Sequence, residues 1–241
     1  MQRILVAADI HANLPAFEAV VDGAGRVDAC IVLGDVVGYG PHPAECISLL
    51  SELVHELPTW AILGNHDTCA LEYAGSWQGG VVGNGAEWDA WTAAQLDDAA
   101  ATFLRQQPPD IAATFHGTPT YLCHHQSPLS SHVDDATVAE ELETWEHAEG
   151  TALVLFGHFH RQIDWLVGDT RMVNSGSVGQ PRGNDPTAAF AIWEPAGIRF
   201  QRVAYDVDRT VAALADMPMA PRYRETWEIN YRRGIVDLSR E

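Results

Sequence analysis

Short hydrophobic runs alternate with segments of helical periodicity in the first third of the chain. Residues 3–9, 28–35 and 59–67 are apolar runs that predict buried strands. Residues 13–25, with a proline in the first turn, and residues 43–55 predict amphipathic helices between them. This strand–helix–strand–helix–strand order is typical of a parallel sheet covered by helices.

The rest of the chain follows a different pattern. A Gly-rich stretch at 75–85 interrupts the alternation, and residues 86–106, 134–148 and about 207–216 predict further helices. The predicted strands that share this part of the chain are closely spaced: 118–125, 151–158, 161–169, 170–177 and 188–206. They favour a second sheet, largely antiparallel or mixed. Because no linker divides the chain, we expect residues 1–241 to form one domain.

Side chains able to bind metals follow the predicted strands at their carboxyl ends. They are Asp9, His11, Asp35, Asn65, His66, Asp67, His124, His125, His158 and His160. In open α/β sheets, ligands bind outside the carboxyl ends of the strands. Burying so many ionisable groups together is costly without a compensating charge, so the pattern predicts a metal site.

The donor types restrict the metal. Oxygen and imidazole donors without thiolate favour Mn, Fe, Zn, Ni or Co. Cys123, the nearest sulfur, is expected on the opposite face of its strand, because successive side chains of a strand alternate. A single four-ligand site would leave most of these donors unexplained. Two divalent ions that share Asp35 account for the number of donors.

Five motifs in this order carry a resemblance. They are DIHANLP at 9–15, LGDVVGYGP at 33–41, GNHD at 64–67, a histidine after the strand at 118–123, and GHFH at 157–160. A further typical segment is NSGSVGQPR at 174–182. Over essentially the whole chain, the sequence resembles the calcineurin-like metallophosphoesterases, in particular their small bacterial and archaeal phosphodiesterase-like branch. The resemblance implies an α/β fold, a four-layer α/β/β/α sandwich of two mixed sheets flanked by helices.

The resemblance also implies roles for the residues. The first metal would be held by Asp9, His11, Asp35 and His160, and the second by Asp35, Asn65, His125 and His158. His66 would be the catalytic histidine outside the metal shell, and Asp67 could orient its ring. Manganese is the first choice of metal, with Fe, Ni, Zn or Co as alternatives.

The segment HHQSP at 124–128 departs from the family pattern, which usually has His-Gly before Ser-Pro. Aligning on Ser-Pro makes His125 the ligand and places Gln126 where the family has glycine. His124 is the alternative. Arg182 and Asn13 are candidate substrate contacts, and Arg182 could equally be a residue of a surface turn.

The function implied is a dinuclear phosphoesterase that hydrolyses phosphodiesters by attack of a metal-bridging hydroxide. Three alternatives stay open: a phosphomonoesterase or protein phosphatase, a dinucleoside polyphosphate hydrolase, and a non-catalytic metal-dependent nucleotide-binding scaffold. Trp77, Trp88 and Trp91 could stack on a nucleobase or, as we favour, anchor a helix in the core. Residues 218–241 could cover a sheet edge or a partner subunit.

Charge and hydropathy limit the partners. The formal net charge is -19, which argues against general nucleic-acid binding, since that needs a basic face. No apolar run approaches the ~20 residues that span a bilayer, and the N-terminus does not look like a signal peptide. We therefore expect a cytoplasmic protein, without membrane contact, that acts on a small phosphate ester such as a nucleotide. Whether it forms a homo-oligomer is left open.

Overall fold

The computed structural model of the chain describes residues 3–83, 85–127, 129 and 133–235, which form two five-stranded sheets. The first sheet has the order β10-β9-β1-β2-β3, with β1 at Ile4–Ala7, β2 at Ala29–Val32, β3 at Thr59–Ala61, β9 at Ala188–Glu194 and β10 at Gly197–Val203. The second has the order β4-β5-β6-β8-β7, with β4 at Asp110–Phe115, β5 at Thr118–Cys123, β6 at Leu153–Phe156, β7 at Gln162–Val167 and β8 at Thr170–Ser175.

Both sheets are mixed. In the first, β1, β2 and β3 are parallel, and β9 and β10 add antiparallel pairs beside β1. In the second, β5, β6 and β8 are parallel, and the edge strands β4 and β7 are antiparallel to their neighbours. The fold is therefore the α/β arrangement of two mixed sheets that the sequence predicted.

The assignment of residues 188–206 to the second sheet is wrong. The segment divides into β9 and β10, and β9 pairs with β1 in the first sheet, where Ile4 lies opposite Trp193. All but the last residue of β9 are buried, as expected for a strand inside a sheet with both faces covered. Because β1 and β9 lie near opposite ends of the chain, no local sequence pattern indicates that they pair.

Alternating side chains give the first sheet two hydrophobic faces. Ile4 and Val6 of β1 belong to the core between the sheets, and Leu5 packs with the helices on the outer face. Those helices are α1 at Leu14–Ala24 and α2 at Pro43–Glu56.

The second sheet has the same alternation. Leu155 of β6 lies in the core between the sheets, and Phe156 packs on the outer side with Val138 and Leu142 of helix α6 at Asp135–Leu142. These contacts give the four layers α/β/β/α.

The remaining helices differ from the prediction in their boundaries. Residues 86–106 form two helices, α4 at Gly85–Gln95 and α5 at Asp98–Arg105, because Asp97 caps the second by accepting from the Ala100 N–H. Three short elements connect or close the fold: α3 at Asn65–Glu72, α7 at Val207–Ala213 and a 3-10 turn at Leu214–Asp216.

The C-terminal segment contains a helix that the sequence reasoning missed, α8 at Pro221–Arg233, which begins at a proline and ends at Gly234. Residues 236–241 of this tail lie outside the described residues. None of the described helices combines the length and hydrophobicity needed to cross a bilayer.

Candidate metal centre and its surroundings

Left-handed backbone turns follow the strands that meet at the site. Asp9, His11 and Asp35 have φ of 54°, 47° and 52°, and His158 and His160, after β6, have φ of 70° and 57°. A non-glycine residue in this region is uncommon and is often functional. Side chains that follow different strands in this way come together in two groups.

The first group consists of Asp9, His11 and His160, all buried, with ligand atoms close enough together to hold a metal ion. His11 Nε2 lies 3.0 Å from His160 Nε2, which lies 3.4 Å from Asp9 Oδ1. His160 Nδ1 donates to the Gln180 carbonyl oxygen at 2.9 Å, which leaves the Nε2 lone pair directed at the group. Burial lowers the pKa of both imidazoles, so both rings are neutral at pH 7, as a metal ligand must be.

The second group consists of Asp9, Asp35 and His124. His124 Nδ1 donates to the Leu33 carbonyl oxygen at 2.7 Å, and His124 Nε2 lies 3.1 Å from Asp35 Oδ2. The same Asp35 oxygen is 3.7 Å from His11 Nε2. Asp35 thus lies between an imidazole of each group, where a shared ligand would be.

The structure places His124, and not His125, against the carboxylates. Along β5, Leu122 faces the core between the sheets and Cys123 faces α6, so His124 returns to the inner side. His125 is half-buried, and its ring centroid lies 4.4 Å from that of His158. The alignment on Ser-Pro selected His125, and Pro128 of that alignment lies outside the described residues. Strand alternation was the signal that pointed to His124.

His158 and Asn65 approach each other beside the second group. His158 Nε2 lies 3.0 Å from the Leu129 carbonyl oxygen, and His158 Nδ1 lies 3.1 Å from Asn65 Oδ1. Burial, followed by the charge of His124, lowers the pKa of His158 to about 3, so its ring is neutral and carries one N–H. If Leu129 accepts that proton, two electron-pair donors, Nδ1 and Oδ1, face each other. A cation between them removes the repulsion.

In the absence of metal, the buried carboxylates draw a positive charge to His124. Burial raises the pKa of Asp9 to about 7. Burial alone would lower the pKa of His124, but Asp35 and Asp9 outweigh it and raise the pKa to about 10. Burial alone would also raise the pKa of Asp35, whereas the neighbouring imidazoles of His124 and His66 hold it well below its usual range. The donor set therefore favours a positive charge at its centre, which fits divalent cations.

Asp67 does not contact the ring of His66 in the way the sequence suggested. Its carboxylate accepts from the backbone N–H groups of Val37 and Gly64, at 3.0 and 2.9 Å. It thereby ties the turn after β2 to the turn after β3. A Cβ at Gly64 would overlap the Asp35 carboxylate, so the close approach of these turns requires glycine at that position.

The carboxylate nearest the His66 ring belongs instead to Asp89 of α4, whose Oδ1 lies 3.8 Å from His66 Nδ1. The His66 backbone N–H donates to Asp35 Oδ1 at 2.8 Å. Burial alone would lower the pKa of His66, but the charges of Asp35 and Asp89 outweigh it and raise the pKa above its ordinary value. Nothing local in the sequence connects residue 89 to the GNHD motif.

Asn13 has a structural role. Its Oδ1 accepts from the Ala16 N–H at the start of α1 and from the Thr210 hydroxyl, and its Nδ2 donates to the Gly179 carbonyl and the Tyr205 hydroxyl. The side chain is fully buried, and these contacts occupy all its donors and acceptors. It has no free group for the substrate contact that the sequence suggested.

Arg182 is not an exposed turn residue. Only 8% of it is exposed, and its Nη2 donates to Gln180 Oε1 at 2.7 Å. Gln180 also accepts from His160 Nδ1 through its backbone carbonyl, so this residue connects Arg182 to the first group, and the positive charge of Arg182 contributes to lowering the pKa of His160. A cation at this position suits an anionic substrate.

Comparison with known proteins identifies the family. A model of the calcineurin-like phosphoesterase superfamily domain matches residues 2–195. The chain belongs to this superfamily.

Two relatives match most of the length of the chain. A metallophosphoesterase structure from Sphaerobacter thermophilus superposes with a TM-score of 0.74 and 28% identity, covering 97% of this chain and 99% of that one. The uncharacterized protein MJ0912 of Methanocaldococcus jannaschii is 27% identical over 86% of this chain and 89% of its own length.

A shorter match links the chain to phosphodiesterase YfcE of Escherichia coli, which is 33% identical over 78 residues, 28% of this chain and 41% of YfcE. The resemblance to the small bacterial and archaeal branch is thereby confirmed. This member of the superfamily also has the Asp and His groups that could hold metals.

Proposed function

We propose that this phosphoesterase hydrolyses small phosphodiesters with the help of two divalent cations. The first cation would be held by Asp9, His11, Asp35 and His160, and the second by Asp35, Asn65, His124 and His158. The observation that carries the proposal is the pair of buried groups of carboxylates and imidazoles whose ligand atoms lie close enough together to hold metal ions, with His158 Nδ1 and Asn65 Oδ1 3.1 Å apart beside them.

Charge explains why such a site would attract a phosphate ester. Two divalent ions carry four positive charges, against which Asp9 and Asp35 supply two negative ones. Arg182 adds a further positive charge at the edge of the first group. The centre would thus be cationic in a chain of formal net charge -19, and buried charges are screened far less than surface ones.

When bound, the two cations would activate water for attack and stabilise the charge on the phosphoryl oxygens. The chain's own residues supply the other requirements. The guanidinium of Arg182 would orient the phosphate, because its planar N–H groups match phosphate oxygens. His66 would donate a proton to the departing oxygen, and its raised pKa keeps a proton available near neutral pH.

A diester is proposed because one matched relative is named a phosphodiesterase. The oxygen and nitrogen donors fit Mn first, with Fe, Ni, Zn or Co as alternatives. The scaffold hypothesis is less favoured, since a non-catalytic protein needs neither the buried donor set nor a histidine such as His66 beside it.

The test compares bis-p-nitrophenyl phosphate with p-nitrophenyl phosphate. The protein is stripped with a chelator and then reloaded with Mn, Fe, Ni, Zn or Mg, and bound metal is measured in parallel. We expect two ions per chain and metal-restored hydrolysis mainly of the diester. Activity mainly on the monoester would make the protein a phosphatase, and two bound ions without hydrolysis of either ester would refute the proposed function.

A further inference from the structure

Helix α4 and the C-terminal segment pack together as one unit over the edge of the site. The Val82 N–H donates to the Pro218 carbonyl at 2.6 Å, and the Ala220 N–H donates to the Val82 carbonyl at 3.1 Å. A separate hydrophobic cluster includes Trp88, Trp91, Met217, Met219, Trp227 and Tyr231. We call α4, the 3-10 turn Leu214–Asp216 and α8 the cap. Its C-terminal part lies beyond residue 195, where the family match ends.

An unbroken series of aromatic contacts connects the cap to His66. The ring of Trp227 in α8 lies 4.8 Å from that of Tyr39, and Trp88 in α4 lies 5.1 Å from Trp227 and 5.9 Å from Tyr39. Tyr39 in turn lies 4.3 Å from the ring of His66 and 4.9 Å from that of His11. Tyr39 is the one member of this series that belongs to the turn after β2.

His66 has little freedom on its other side. A Cβ at Gly38 would approach His66 Cβ to 2.8 Å, so the backbone of the turn after β2 already lies against the side chain. Asp89, the residue after Trp88 in α4, faces His66 Nδ1 at 3.8 Å. The cap therefore reaches the imidazole at two points: at the ring through Tyr39, whose plane is tilted by 56° to it, and at Nδ1 through the charge of Asp89, which lies beyond hydrogen-bond distance.

We infer that the cap is the positioning element of His66: Trp227 and Trp88 hold Tyr39 against the imidazole, and Asp89 directs Nδ1. This inference rests on the proposed function and adds to it the elements that orient the proton donor. A proton donor acts only within hydrogen-bond reach of its target, so a small rotation of the ring reduces its contribution. Metal binding and phosphate binding do not depend on that rotation.

Two substrates that differ only in the leaving group isolate this effect. Methyl p-nitrophenyl phosphate releases a weakly basic phenolate that hardly needs protonation, whereas methyl phenyl phosphate releases a more basic one. In Trp227→Ala, we expect kcat for the phenyl ester to fall about tenfold more than kcat for the nitrophenyl ester, since general acids contribute about 10²–10⁴. KM for both esters and the bound metal should change less than about twofold.

The control variant is Trp91→Phe. Trp91 lies in the same helix as Trp88 and is similarly buried, 7% against 5% exposed, and no ring contact joins it to Tyr39 in the described part of the chain. In this variant, the ratio of kcat for the phenyl ester to kcat for the nitrophenyl ester should equal that of the wild type. Trp227→Phe should restore most of the ratio, and Tyr39→Leu, which removes a ring at the border of the cluster but keeps its buried members, serves if Trp227→Ala does not fold.

An NMR measurement tests the inference without turnover. The ring protons of His66, assigned by comparison with His66→Ala, are followed in the zinc-loaded protein. Loss of Trp227 should shift them, because Tyr39 would no longer hold its ring against the imidazole. Unchanged His66 signals in folded Trp227→Ala and Tyr39→Leu, or a kcat ratio equal to that of Trp91→Phe, would overturn the inference. A wild type with two metals and no hydrolysis would refute the proposed function instead, and the NMR result would still decide the role of the cap.

Discussion

Two adjacent histidines offer a sharp test of the metal centre. His124→Ala removes the Nε2 that lies 3.1 Å from Asp35 Oδ2, and with it the N–H donor to the Leu33 carbonyl. His125→Ala removes a half-buried ring that lies in neither group of potential ligands among the described residues. The two variants delete the same side chain at neighbouring positions, so each controls for the other.

The expected magnitudes follow from these contacts. Loss of a partner that merely orients a ligand costs about 10–100-fold in metal affinity, so loss of the ligand itself should cost at least about 100-fold for one ion, or ~2.7 kcal/mol. The orphaned Leu33 carbonyl adds about 1–3 kcal/mol of destabilisation. For His125→Ala we expect both ions to bind within about twofold of the wild type.

The assay is bound manganese per chain at fixed free concentrations, with thermal unfolding as a check on the fold. His124→Ala should lose one of two ions at concentrations that saturate the wild type. If His125→Ala lost the ion and His124→Ala kept it, the assignment of His124 would be refuted and the alignment on Ser-Pro restored.

Four further results are expected. Asp67→Ala should lower the free energy of unfolding by about 2–6 kcal/mol, because the N–H groups of Val37 and Gly64 lose their acceptor. Asp67→Asn should lower the free energy of unfolding less, and denaturant unfolding measures both variants. Asn13→Ala should lower the melting temperature without raising KM, and a raised KM in a stable variant would return Asn13 to the substrate site. Chelation should lower the melting temperature by about 5–10 °C for each ion removed, from ~2.7 kcal/mol per ion at metal 100-fold above Kd and ~2–4 °C per kcal/mol. In chelator, the pH-dependent part of the stability advantage of the wild type over His124→Ala should be complete below pH 6.5 and vanish as pH rises through about 10, because the raised pKa of His124 favours its protonated form in the folded state. The contact with the Leu33 carbonyl remains at high pH, and an advantage that grows with pH would contradict this prediction.

The sequence predicted most of the metal centre because the donors come directly after buried strands. Asp9, Asp35 and His158 stand within three residues of an apolar run, and parallel strands bring their carboxyl ends to one edge. The preference for His125 rested on a motif alignment, whereas the alternation of side chains along β5 favours His124. Both signals were local, and the geometric one agreed with the structure.

The parts that were not predicted depend on contacts between distant segments. The joining of β9 to β1 pairs Ile4 with Trp193, and the segments that lead into α4 and α8 join Val82 to Pro218. Such pairings depend on which surfaces remain uncovered once the rest of the chain has folded, and hydrophobic periodicity does not contain that information. The approach of Asp89 to His66 could not be predicted either, because it too depends on how separate segments pack.

The left-handed residues around the candidate metal centre set its side-chain geometry against the stability of the fold. Five residues that supply side chains to the centre have a positive φ: Asp9, His11, Asp35, His158 and His160. At about 1–2 kcal/mol each, this backbone conformation costs roughly 5–10 kcal/mol in total, which is comparable to the net stability of a typical domain. Glycine at these positions would relieve the strain and remove the ligands. A selection for thermal stability alone would therefore favour variants that erase the centre, so stabilising libraries of this protein should be screened for bound metal at every round.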